Sequence, residues 1–189
     1  MPLPIINLLR ISCPKMDDIV CRTVVVAGTC DGVTSVSVTF AGESKLAEID
    51  TARGLWKATF LDVTPGTYTV TALGMPNSLS ASESNITVVS PCRLVVLAPQ
   101  PWQGSTGSFQ LVGQYDPSTV GFVVYEVKEV NSTVSIPQPF PILSPTERLY
   151  YRDISNIPTG EYEVVVSCYN DTFMSTLLGR VTVGPILVA

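Results

Sequence analysis

The chain has 189 residues, a net charge of −5 and no histidine; 46% of its residues are hydrophobic and 14% are charged. Mean hydropathy is +0.33 and the pI lies near 4.6. With no run of Lys or Arg there is no footprint for phosphate binding, and without imidazole the usual general base, metal ligand and Ser-His or Cys-His nucleophile pairs are gone. The charge content is well under the roughly 25% of ordinary soluble domains, so part of the surface is expected to be covered by neighbours.

Residues 1–10 (MPLPIINLLR) lack a basic n-region, are broken by Pro2 and Pro4, and are followed by no small-residue cleavage site before Lys15. Residues 1–20 are therefore expected to be mature sequence, either an N-terminal arm or strand A of a first domain. As an arm, the segment would lay Ile5, Leu8 and Leu9 against a neighbour's open sheet edge. Next come two runs rich in β-branched residues, 23–27 and 33–40, the second alternating Val36, Val38 and Phe40 with Ser and Thr. They are expected to pair as strands joined at Cys30-Asp31-Gly32. Runs 46–49, 55–60, 67–72 and 85–89 follow, each bounded by Gly, Pro, Asn or Asp. After a proline-rich stretch at 92–104, in which the next strand begins, the runs 108–112, 120–127, 148–151, 161–167 and 180–183 repeat the pattern. No window has helical period. No apolar run approaches the roughly 18 residues of a membrane helix, and the C-terminus carries no sorting or lipidation signal. Synthesis in a cytoplasm, without a membrane anchor, is the expectation.

The two halves are copies. Gly28-Thr-Cys-Asp31 returns as Gly113-Gln-Tyr-Asp116, 85 residues on, and the tyrosine of Pro65-Gly66-Thr-Tyr68 returns as Tyr162 of Pro158-Thr-Gly160-Glu-Tyr162, 94 residues on. Short strands at this spacing argue for an all-β fold of two tandem antiparallel sandwiches, stacked along the chain with domains at 21–91 and 105–189 and a linker at 92–104. Trp56, Tyr68 and Tyr162 are expected to mark the cores, the tyrosines as corner residues.

Gly28-Thr-Cys-Asp31, Gly54-Leu-Trp56, Pro65-Gly66-Thr-Tyr68 and the run from Ser80 to Val88 resemble the bacterial immunoglobulin-like domains of cell-surface proteins and tailed-phage virion proteins. In that family a Gly-Thr-Ala-Asp-like turn ends the second strand, Gly-x-Trp opens the fifth and Pro-Gly-x-Tyr leads the sixth. The resemblance covers residues 22–90 well and 105–184 less well, because the second copy has Tyr115 inside the turn and lacks the Gly-x-Trp. It implies immunoglobulin-like sandwiches and specifies a fold rather than an activity.

The local carboxylate pairs, Asp17 with Asp18 and Glu161 with Glu163, are read as solvated surface rather than as acid-base pairs. Asp31 and Asp116 are read as turn caps, with no metal or cofactor expected. Of five cysteines, Cys30 sits at the far end of its strand, whereas strand directions bring Cys13, Cys21 and Cys92 together; Cys21–Cys92 and Cys13–Cys21 are the candidate bridges. They would stay reduced in a cytoplasm and close in an oxidising medium. The insertion at 134–145, rich in prolines, is expected either to display Phe140, Ile142 and Leu143 to a partner or to fold back on its own sandwich. A non-enzymatic structural role follows as the expectation: a capsid decoration or other accessory protein of a tailed-phage virion, contacting other virion subunits or copies of itself through apolar surfaces. The alternatives are a bacterial cell-surface adhesin or stalk segment, and a carbohydrate-binding module whose glycan platform would have to be Trp56 or Trp102.

Overall fold

The computed structural model describes residues 8–130, 132 and 134–189, and among them there is no helix. The first half holds β1 (Leu8–Cys13), β2 (Ile19–Val20), β3 (Val24–Asp31), β4 (Ser35–Phe40), β5 (Glu43–Leu46), β6 (Glu48–Asp50), β7 (Leu55–Phe60), β8 (Gly66–Met75) and β9 (Leu79–Val88). The second half holds β10 (Leu94–Ala98), β11 (Gly104–Ser105), β12 (Ser108–Tyr115), β13 (Phe122–Glu129), β14 (Ser135–Ile136), β15 (Ile142–Ser144), β16 (Leu149–Ser155), β17 (Gly160–Tyr169) and β18 (Leu177–Val188). Each half sets a four-stranded sheet, β1-β3-β7-β6 or β10-β12-β16-β15, against a second one. These are immunoglobulin-like sandwiches, with a short strand running parallel to the last strand of each (β2 with β9, β11 with β18).

The runs at 23–27 and 33–40 do not pair with each other. β3 pairs with β1 and β7, whereas β4 pairs with β5 and β8. The chain crosses between sheets at Gly32, which has φ 65°, because both strands are apolar on one face. Val24 and Val26 can then pack against Val36 and Val38 in one core. The run 46–49 divides between β5 and β6. Residues 94–98, expected within the linker, are the first strand of the second sandwich, paired with β12.

Trp56 is fully buried and its Nε1–H donates to Thr29 O at 3.1 Å. It sits opposite Gly28, where a Cβ would come within 2.6 Å of the indole. In the second sandwich Tyr150 takes this place opposite Gly113, where a Cβ would overlap its ring; Tyr150 is fully buried and its hydroxyl donates to Val95 O at 3.0 Å. The repeated glycine, inside β3 and β12 rather than in a turn, is thus the space into which a large aromatic of the facing strand fits. Tyr162 is buried and Tyr68 half-buried, its hydroxyl donating to Thr64 O at 2.9 Å as a corner residue does.

The two sandwiches are not stacked end to end. One sheet runs through both, in the order β14-β13-β17-β18-β2-β9-β8-β4-β5, with Arg180 of β18 opposite Ile19 of β2. Since β18 is antiparallel to β2 and β2 parallel to β9, the second sandwich folds back beside the first.

Candidate functional site

The seam between the sandwiches is where charge, sulfur and apolar surface converge. Its centre is Asp18, in the turn before β2. The carboxylate is fully buried and accepts from Lys15 N–H at 2.9 Å, Thr182 N–H at 2.9 Å and the Thr182 hydroxyl at 3.0 Å. The Arg180 guanidinium stands 3.8 Å away, an ion pair without a hydrogen bond. Burial pushes the Asp18 carboxyl up to about 6, against the pull of these donors. The reading of Asp18 as solvated surface is corrected: its partners are Lys15, Thr182 and Arg180, and of the Asp17-Asp18 pair only Asp17 faces solvent.

Beside it, Lys15 Nζ donates to Ile11 O at 2.7 Å and lies 3.5 Å from a carboxylate oxygen of Glu83 in the first sandwich and of Glu163 in the second. Glu163 is therefore not an outward surface residue either; desolvation raises its carboxyl, and Lys15 opposes that rise. Glu161 is exposed. Trp102 N–H donates to Pro185 O at 2.9 Å, and its ring lies against the first core with Lys57 Nζ 4.7 Å from its centroid.

Cys21 and Cys92 form a disulfide, with Cα atoms 5.2 Å apart, inside the range such a bond requires. Cys13 lines the same small apolar cleft of about 110 Å³ as Cys21, together with Val24, Val95 and Val181. Its thiol nevertheless donates to Gly184 O at 3.2 Å and is pushed up to about 12 by burial, so it is structural rather than reactive. Cys30 and Cys168 are buried free thiols.

The other predicted contacts divide. Ile5 lies outside the described residues. Leu8 and Leu9 belong to β1, paired with Asp31 and Cys30, and Leu9 is core. These two are not free contacts, because strand A needs them to close the first sheet. In the insertion, Leu143 packs on the second core, while Ile142 and Phe140 are exposed, Phe140 at 68%. The Phe140 ring leans on Phe122 at a centroid distance of 5.6 Å, and Tyr125 OH donates to Pro139 O at 2.8 Å, so the loop is anchored while its phenyl face stays open.

A second exposed apolar group was missed. The β17–β18 hairpin turns out Phe173, 87% exposed, and Met174, 50% exposed. It is tied from within by Asp171 Oδ1, which accepts the N–H groups of Phe173 and Ser175, both at 3.1 Å, and these donors hold the Asp171 carboxyl below its usual range. The available signal was Phe-Met between Asn170-Asp171 and Ser-Thr, two large apolar residues in a polar turn. Neither indole offers a glycan platform, since Trp56 is fully buried and Trp102 is wedged into the seam.

No family model matches the chain, and no curated protein matches it. Solved structures similar to it include the fibronectin(III)-like modules of Clostridium thermocellum CbhA, at TM-score 0.36 and 14% identity over 94% of this chain and 92% of that one. Others are the titin domains z1z2 in complex with telethonin, at 0.32 and 16% over 95% of each chain, and a putative membrane anchored protein from Corynebacterium diphtheriae, at 0.36 and 11% over 95% of this chain and 58% of that one. Scores this low carry no overall arrangement across, and the fold assignment rests on strand order and pairing.

Proposed function

We propose that the chain is a non-enzymatic structural module of the bacterial immunoglobulin-like type, working outside the reducing cytoplasm as an accessory protein of a tailed-phage virion that attaches through apolar loops. The observation carrying this reading is the pair of loops, tied by side-chain hydrogen bonds, that hold Phe140, Phe173 and Met174 in solvent. Single exposed apolar residues are ordinary. Here the backbone behind each of two such groups is tied down, which lowers the ordering cost of binding. The Cys21–Cys92 bridge suits an oxidising medium.

Mass spectrometry of gradient-purified particles and of cell-surface fractions tests the assignment. The chain is expected in the particles, and Phe140→Asp or Phe173→Asp should remove it from them while the purified variants keep their β-sheet circular dichroism. Recovery in the surface fraction alone would replace this reading with the adhesin or stalk reading, and absence from both would overturn it.

A further inference from the structure

Both sandwiches are built onto a strand of two residues. β2 gives Ile19 to β18 on one side, while on the other the backbone of residues 18 and 20 accepts Thr87 N–H and Val89 N–H, both at 2.9 Å. Each end of it is fastened. Before it, the Asp18 carboxylate holds Thr182 of the second sandwich; after it, Cys21 is bonded to Cys92, in the segment joining β9 to β10. With the bond closed, Arg93 alone separates the covalent anchor from Leu94, where the second sandwich begins. With it open, the whole stretch from Val89 to Arg93 becomes the tether. Cys92 is exposed, so this sulfur pair is within reach of a redox reagent, whereas the remaining three thiols are buried.

We infer that Cys21–Cys92 is a redox-gated clasp: closed, it fixes the second sandwich against the first; open, it leaves that pose to the Asp18 latch and the other non-covalent contacts of the seam. Closing is a thiol–disulfide exchange with a low-molecular-weight disulfide. The two thiols lose two protons and two electrons, one S–S bond forms, and the oxidant's S–S bond breaks to give two thiols. Two fasteners on one seam raise the effective concentration of each other's partners, so loss of one shows fully only when the other is absent. The inference stands apart from the proposed function, since it concerns the pose of the two halves whatever they attach to.

The test is hydrogen exchange at the Thr182 and Val89 amides, with small-angle X-ray scattering, on the full chain with and without a phosphine reductant, for the native protein and for Asp18→Asn. In the variant, reduction should speed exchange at Thr182 about tenfold or more and lengthen the particle. Oxidised Asp18→Asn should keep the compact scattering profile. Should Asp18→Asn fail to fold, Thr182→Val removes one latch bond from the other side and is read at Val89. Equal opening in both redox states, or a reduced variant as compact as the native protein, would overturn the inference. So would faster exchange at Val26 and Ala58 on reduction, because the bridge would then be only a staple of the first core.

Discussion

Replacing Asp18 by Asn separates a buried carboxylate from a buried amide at nearly constant shape, and its effect should depend on pH in a defined direction. The native carboxyl titrates at about 6, against 3.8 for the free group. The native state therefore binds this proton more tightly than the unfolded chain does. Its stabilising contribution is complete below 3.8 and is lost as the pH rises through about 6. A displacement of this size corresponds to about 3 kcal/mol, undiminished by solvent screening because the side chain is fully buried. The other groups at the seam, Lys15, Arg180, Glu83 and Glu163, are present in both proteins. So are Asp50, Asp116, Asp171 and Glu126, whose lowered carboxyls act in the opposite sense at more acid pH. Subtracting the variant from the native protein removes them all. Urea unfolding followed by tryptophan fluorescence, which reports the first core through Trp56 and the seam through Trp102, should give a difference that shifts by about 2.5 kcal/mol in favour of the native protein between pH 7.5 and pH 4. A difference flat across that range would mean that Asp18 meets water, and the continuous sheet would be wrong with it.

Trp56→Ala should cost about 3–5 kcal/mol of stability, because a fully buried indole and its bond to Thr29 are lost together; a fall in urea midpoint worth less than 1 kcal/mol would contradict its place in the core. Gly28→Ala should abolish folding of the first sandwich, since the added Cβ meets both the indole and backbone, and a well-dispersed amide spectrum of that variant would refute this. Maleimide applied to the unreduced native protein should label none of the cysteines, because Cys13, Cys30 and Cys168 are buried with raised thiols and the other two are bonded. Rapid labelling of Cys13, Cys30 or Cys168 would show an open core, and labelling of Cys21 or Cys92 an open bridge.

Much of the fold is legible from local pattern, and the exceptions have a common cause. The run 55–60 is β7 as read, and the alternation of Val36, Val38 and Phe40 puts all three in the core, because a period of two is a property of neighbouring residues. Which sheet a strand joins is not such a property. β3 and β4 look like a hairpin until the apolar face of each is asked to find a partner, and the only arrangement that buries both places them on opposite sheets. Tyr150 was within reach: it lies 94 residues beyond Trp56, the same offset as Tyr162 from Tyr68. Arg148, with φ 58°, likewise stands where Gly54, with φ 66°, stands in the first copy. Residue type changes between the copies at these positions, whereas a large aromatic facing a glycine recurs.

Asp18 was out of reach for a different reason. A carboxylate in a polar turn next to another carboxylate reads as solvated, and what reverses the reading is a pair of donors on Thr182, 164 residues away. The same contact bears on the low charge content, from which neighbours were expected. Part of that surface is satisfied within the chain: Val95, Val181 and Trp102 of the second half lie against Val24 and Lys57 of the first, and each sandwich is the other's neighbour. Other large apolar residues remain exposed, among them Leu46, Leu61 and Val134 as well as Phe140, Phe173 and Met174, and the last three sit on turns held by side-chain hydrogen bonds. A chain that had only to stay soluble would gain by replacing such residues with polar ones at almost no cost in stability, since exposed side chains contribute little to the core. Their position on turns braced by Asp171 and Tyr125 is the physical reason to look for a partner there.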